Sequence, residues 1–257
     1  MEITALPDPV HAHLGGYRVD GGNRKTSSSA EVYCLVHPQK PDLFLKTLVH
    51  PLPPVVEAEL LAEKTAMDWL QGQLAVPRVL CYHRGPEREY LLVSRIEGVA
   101  GHGPESRADA AGTARQFAAG LRQIHTVDPV GCPLDWRLER FFSWAEELIE
   151  RLPAEARPAL RANLAVLKQD RPTSEDLVFV HGDYCLPNIL LKDGRLSGFI
   201  DWGFAGVGDR YLDFAAAVGT IRRNLGDEWI EPFFAAYGLQ PDAERLAYFR
   251  RVLDFAG

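Results

Sequence analysis

The chain has 257 residues, 46% of them hydrophobic and 25% charged, with a net charge of −7. This length allows one large domain or two lobes. The composition is that of an ordinary globular protein, and the acidic balance argues against a nucleic-acid surface.

The N-terminal stretch "MEITALPDPVHAHLGG" carries an early Glu and prolines and has no apolar core, so no secretory signal is expected. No apolar run is long enough to cross a bilayer. Two β-rich runs, "EVYCLV" and "DLFLKTL", flank a Pro-containing turn and predict a hairpin, preceded by the polar "KTSSS". In "VVEAELLAEKTAMDWLQG", Leu60, Met67 and Leu70 share one helical face and Gly72 follows as a stop. "RVLCYH" and "EYLLVSRI" predict two more strands. From about Ala108 the pattern turns helical: "ADAAGTARQFAAGLRQIHTV", then 139–152 and 155–169. Strand character returns over 177–201. Helices resume in "RYLDFAAAVGTIRRNL", "EWIEPFFAAYG" and "DAERLAYFRRVLDF". The expected organisation is a small sheet-rich lobe followed by a larger helical one. The boundary falls near Ile96–Gly103, and "EGVAGHGPES" is a candidate connector. The four cysteines, Cys34, Cys81, Cys132 and Cys185, form no C-x-x-C pair. They fit neither a zinc site nor a disulfide framework and read as reduced thiols of a cytoplasmic protein.

The segment "VHGDYCLPNILLKDGRLSGFIDWGF", from Val180 to Phe204, concentrates the chemistry. Asp193-Gly194 predicts a tight turn between "ILL" and "LSGFI". With these as the two central residues, Leu191 pairs with Leu196, and counting outward places Asn188 opposite Phe199. Asp201 is then a diagonal neighbour on the same side, with Cα atoms roughly 7–8 Å apart. An amide oxygen and a carboxylate converging there suit a hard cation such as Mg²⁺. Asp183 lies on the loop entering the same end. Each of these residues taken alone is an ordinary turn or strand-end residue.

The pattern H-G-D-x-x-x-x-N followed by I-D resembles the catalytic and metal-binding segment of the protein-kinase-like fold. "HGDYCLPNILL…GFIDWG" is more similar still to the aminoglycoside phosphotransferases, specifically the 3′-phosphotransferases that inactivate kanamycin-type antibiotics. "IHTVDPVGCPLD", "GVGDRYLDFA" and "GLQPDAERLAYFRRVLD" extend the resemblance over nearly the whole chain.

The resemblance implies an α+β, bilobal fold. Residues 1–96 would form a nucleotide-binding lobe with a hinge at 94–96, and 97–257 a catalytic and acceptor-binding lobe. It implies ATP as phosphoryl donor, with GTP not excluded, and Mg²⁺ held by Asn188 and Asp201. Asp183 would orient the acceptor hydroxyl and take its proton. His181 would either brace this loop or take part directly. Lys46 would contact the α- and β-phosphates, paired with Glu63. Glu63 shares the apolar helix face of Leu60 and Met67, where a carboxylate wants a cation. Ser28 would lie against the β-phosphate, though a plain polar turn reads equally well. Phe44 is either an adenine-stacking ring or a core aromatic. Backbone groups of Ser94–Ile96 would meet the adenine edge. The acceptor would be a small aminoglycoside, contacted by Asp183, Asp254 and the terminal carboxylate of Gly257. No nucleic-acid, membrane or obligate protein partner is expected.

This chain also departs from the family. Phe204 stands where the pattern I-D-x-G-R has arginine. Gly219 and Arg223 stand where an Arg and an acidic residue are usual, and Phe255 replaces a Glu. The resemblance then implies a narrower aminoglycoside range, unless Asp209 or Asp213 compensates. Two other readings remain: a kinase for another small alcohol such as choline or homoserine, and a nucleotide-binding pseudoenzyme. The pseudoenzyme would lack Lys, Asp or Asn, and none is missing. A metal-dependent hydrolase would need further His or acid clusters that the sequence lacks.

Overall fold

The computed structural model describes residues 2–25, 30–50 and 59–256. A short helix, α1 (Asp8–His11), precedes strands β1 (Arg18–Lys25), β2 (Glu31–Val36) and β3 (Leu43–Val49). Helix α2 (Glu59–Leu70) follows, then β4 (Val79–Arg84) and β5 (Arg88–Ser94). The five strands make an antiparallel sheet in the order β1-β2-β3-β5-β4.

The alternating pattern of β3 sends its side chains to two cores. Leu43 and Leu45 join the outer one, with Leu35, Leu92 and, from the N-terminal segment, Leu6, Val10 and Leu14. The N-terminal segment thus caps the sheet, a role not visible in the sequence because four residues show no helical period. Leu48 and Leu91 face inward, toward α2, whose Leu60, Met67 and Leu70 are fully buried. Gly72, at φ +80°, ends α2 as expected.

The helical part is built from α3 (Pro104–Ala108), α4 (Ala110–His125), α5 (Leu138–Arg151) and α6 (Arg157–Gln169), then α7 (Tyr211–Asn224), α8 (Ile230–Tyr237) and α9 (Ala243–Ala256). Asp109 caps α4 by accepting from the Gly112 N–H at 2.9 Å. α4 packs on α8, and α7 on α9.

Between α6 and α7 lie four short strands: β7 (Leu177–Val180), β8 (Ile189–Lys192), β9 (Arg195–Phe199) and β10 (Gly206–Asp209). β7 pairs with β10, while β8 pairs with β9 and with β6 (Val99–Ala100). β6 lies inside the expected connector, so that segment also supplies an edge strand to the hairpin.

Asp193 and Gly194 both have positive φ, 52° and 71°, as the tight turn requires. Leu191 does pair with Leu196, but one step further out Leu190 faces Gly198, so Ser197 is an extra residue. Ile189, not Asn188, therefore faces Phe199. Asn188 is opposite Ile200, whose N–H donates to the Asn188 carbonyl at 3.0 Å. The bulge has a tertiary cause. Ser197 Oγ donates to the carbonyl of Glu97 at 2.6 Å and lies 3.1 Å from that of Leu190, and the Phe199 N–H donates to Ala75 O across from the sheet-rich part.

Candidate active site

Lys46, on the inward face of β3, places Nζ 2.6 Å from Glu63 Oε1 and 2.7 Å from Asp201 Oδ1. Glu63 is buried on α2. Asp201 follows β9 in a left-handed conformation, φ 70°, uncommon for a residue with a side chain. That turn of the backbone, not the strand alternation, brings its carboxylate to Lys46. Burial alone would lower the Lys46 pKa, but the carboxylates of Asp201 and Glu63 outweigh it and hold the ammonium above its ordinary value. The Lys46 charge in turn holds Asp201 below the usual carboxylate range. Burial raises Glu63, with Lys46 opposing.

A cavity of about 520 Å³ opens on this triad. Phe44 and Val93 line it, as do Ser94 and Ile96 at its rim, with Lys46, Glu63 and Asp201 within. The N–H groups of Ser94 and Arg95 already donate to Arg78 O and Asp42 O. The Ile96 N–H has no partner among the described residues.

Asp183 lies on the loop between β7 and β8. Asn188 Nδ2 donates to both its carbonyl and its Oδ2, each at 2.9 Å. Burial raises the Asp183 pKa, opposed by His181 and reinforced by Asp201. His181 is fully buried, its ring 4.4 Å from that of Trp202. Nδ1 faces the Asp183 N–H at 3.4 Å, which leaves Nε2 to donate to Ile200 O at 3.1 Å. This imidazole links the Asp183 loop to the residue before Asp201, a geometry in keeping with the bracing alternative.

Asp213, at the start of α7, holds the same loop from below. Its oxygens accept from the His181 and Gly182 N–H groups, both at 2.8 Å, and lie 3.1 Å from His125 Nε2. Asp209 accepts from the Tyr211 and Asp176 N–H groups and pairs with Arg245. Both carboxylates are fully buried. The expectation that Asp209 or Asp213 could serve as a cleft acid is therefore overturned, because both are buried and their oxygens are engaged by backbone N–H groups, Arg245 and His125.

Gly182 is a strict requirement of this geometry. Its φ is +81°, and a Cβ there would lie 2.0 Å from the Phe204 carbonyl oxygen. Gly182→Ala is expected to lower stability by more than about 1 kcal/mol, the cost of forcing Ala into positive φ, and to reduce turnover more than nucleotide affinity. Chemical denaturation and steady-state kinetics check this; wild-type values in both would contradict it.

A second cavity, about 380 Å³, is lined by Gly182 and Asp183. Asp254, Phe204 and Arg223 line it. Trp136 and Arg250 also line it and were not foreseen. Trp136 arrives because its N–H donates to Val207 O at 2.7 Å, so the "CPLDW" segment is tied to β10. Ser28 and Gly257, assigned to phosphate and acceptor contacts, lie outside the described residues.

Among the described residues, no three His, Cys, Asp or Glu side chains cluster as a metal site. An Asn–Asp oxygen pair nonetheless fits Mg²⁺, which takes few protein ligands and completes its shell with water and phosphate oxygens. A cation-paired carboxylate lining one cavity and a second carboxylate, 18 residues earlier on a braced loop, lining another are the working parts of a phosphoryl-transfer enzyme.

The comparisons agree. Residues 25–249 match the model of the phosphotransferase enzyme family. The aminoglycoside 3′-phosphotransferase of Niallia circulans is 34% identical over 205 residues, covering 76% of this chain and 78% of that one. The crystal structure of a type VIII aminoglycoside 3′-phosphotransferase superposes with a TM-score of 0.78 at 26% identity, over 96% of this chain and 98% of that one. The structure of a Streptomyces rimosus aminoglycoside phosphotransferase in complex with ADP and streptomycin superposes with a TM-score of 0.69 at 26% identity, over 100% and 99%. The chain belongs to the aminoglycoside phosphotransferase family.

Proposed function

We propose that this protein transfers the γ-phosphoryl group of ATP to the 3′-hydroxyl of an aminoglycoside, in the cytoplasm and with Mg²⁺. The observation that carries the reading is the convergence of Lys46, Glu63 and Asp201 at one cavity, with Asp183 lining a second, separate one.

In this reading residues 1–96 hold the nucleotide and 97–257 the acceptor. Adenine lies against Phe44 and meets the hinge at the Ser94 carbonyl and the Ile96 N–H. Lys46, oriented by Glu63, binds the α- and β-phosphates, and Ser28 covers the β-phosphate. Asn188 and Asp201 hold Mg²⁺, which supplies charge neutralisation to the β- and γ-phosphates when bound. Asp183 aligns the acceptor hydroxyl and accepts its proton. Asp254 and the Gly257 carboxylate contact the acceptor. ADP complexes of related structures support the choice of ATP over an unrelated donor.

The direct test is ADP release from purified protein with Mg·ATP and a panel of aminoglycosides, with the phosphorylated position read by NMR. Transfer at another hydroxyl would correct the regiochemistry, and no transfer to any member would remove the reading.

Asp183 must be ionised to accept a proton, and burial raises its pKa. Activity should therefore fall with acid through a limb above the ordinary Asp value of about 3.9. A kcat/KM profile against pH whose acid limb lies at or below that value would contradict the assignment.

A further inference from the structure

The cavity beside Asp183 is not lined by acids alone: against the carboxylates of Asp183 and Asp254 stand two arginines. Arg223 (α7) and Arg250 (α9) both line it. A Cβ placed on Gly219 would lie 3.4 Å from Arg223 Nη1 and 2.9 Å from Arg250 Nη1, so the two guanidiniums bracket one point above that glycine. Glycine at 219 is what makes the room.

Arg223 has no hydrogen-bond or ion-pair partner among the described residues. Arg250 pairs with Asp254 at 2.5 Å, one helical turn away, with both side chains about half exposed. Such a pair is screened by water and readily exchanged. Asp254 is thus already matched by a cation, and Arg223 remains as a positive charge facing the cavity. Part of the lining is aromatic. Phe204 is 39% exposed, high for a large apolar side chain, and its ring lies 5.8 Å from that of Trp136. This part suits the C–H face of a sugar ring, while the arginines suit an anion, which guanidinium binds in bidentate fashion.

We propose that the cavity takes a second class of acceptor: a hydroxyl compound with one anionic group, carboxylate or phosphate, held by Arg223 and Arg250. The inference rests on the phosphotransferase reading of Asp183 but not on the aminoglycoside as acceptor. In the reaction the acceptor oxygen forms a bond to the γ-phosphorus and its proton passes to Asp183. The bond from the γ-phosphorus to the bridging oxygen breaks, and ADP leaves with that electron pair.

The test is ADP release with Mg·ATP and matched acceptors: glucose, glucuronate, glucose 6-phosphate, glucosamine and kanamycin. At least one anionic sugar is expected to exceed glucose about tenfold or more in kcat/KM. Whether that is glucuronate or glucose 6-phosphate tells carboxylate from phosphate. Arg223→Gln and Arg250→Gln should each remove most of that preference by raising KM for the anionic acceptor. Arg223→Glu should reverse it, lowering KM for glucosamine and kanamycin. KM for ATP and the thermal midpoint, unchanged in these exposed-site variants, show that folding is intact. Turnover of kanamycin with neither anionic sugar above glucose would overturn this proposal and leave the aminoglycoside reading standing. An anionic preference that survives all three substitutions would also overturn it. Absence of ADP release with every acceptor, while Mg·ATP still binds, would overturn both readings.

Discussion

Asp183→Ala and Asp183→Asn are each expected to lower kcat by at least ~10²-fold, the lower range for a positioned proton-transfer group, with ATP affinity little changed. The separation follows from where the residue lies. Its carboxylate is held by the Asn188 amide at 2.9 Å and borders the cavity proposed for the acceptor, whereas Lys46 and Asp201 line the one proposed for the nucleotide. The asparagine variant keeps shape and hydrogen-bonding capacity but cannot take a proton, so it isolates the proton-transfer role. Measurement of kcat, KM for acceptor and Kd for ATP decides the point. Near-native turnover in either variant would sink the assignment.

Asp201→Ala should abolish the Mg²⁺-dependent part of nucleotide binding and lower turnover by ~10²–10³-fold, the range for removing one preorganised charge-stabilising group. Asn188→Ala should weaken the same binding less, since it removes a neutral ligand. Asn188 also steadies Asp183, so its variant should lose more kcat than metal affinity alone explains. Calorimetric titration of ATP with and without Mg²⁺, and with the metal removed by chelation, provides the check. Parent-like Mg·ATP binding in both variants would contradict the pairing.

The sequence carried the Lys46–Glu63 pair clearly. An acid on the apolar face of α2 needs a cation, and the neighbouring strand offers one. It carried the Asp193-Gly194 turn for a similar reason, since few residues accept positive φ in succession. Counting by twos from that turn then failed at Ser197. The bulge there is set by Glu97 and Ala75, residues about a hundred positions away, and no local period encodes them. Asp201 reaches the site all the same, by a left-handed backbone instead of a strand face. Asp209 and Asp213 look like free acids at the head of a helix. Only the fold shows the backbone N–H groups that consume them. The acceptor cavity was the least legible part. Trp136 and Arg250 come from segments more than a hundred residues apart, and what joins them is the packing of α9 and β10 around Asp183.

Lys46 answers to two carboxylates at once, one on α2 and one on the turn after β9. With Asn188 and Asp201 as the metal pair, neither ATP nor Mg²⁺ gains easily by arriving alone. Free ATP would bring phosphate charge toward an ionised Asp201, and a lone cation would draw Asp201 from an ammonium that still needs it. For the complex of the two, Lys46 would face the phosphates and Asp201 the metal, so that every charge would keep a counter-charge. The two affinities are then linked: the factor by which metal tightens nucleotide equals the factor by which nucleotide tightens metal. In the proposed reading the triad would make the cleft cooperative for the complex and discriminate against uncomplexed nucleotide.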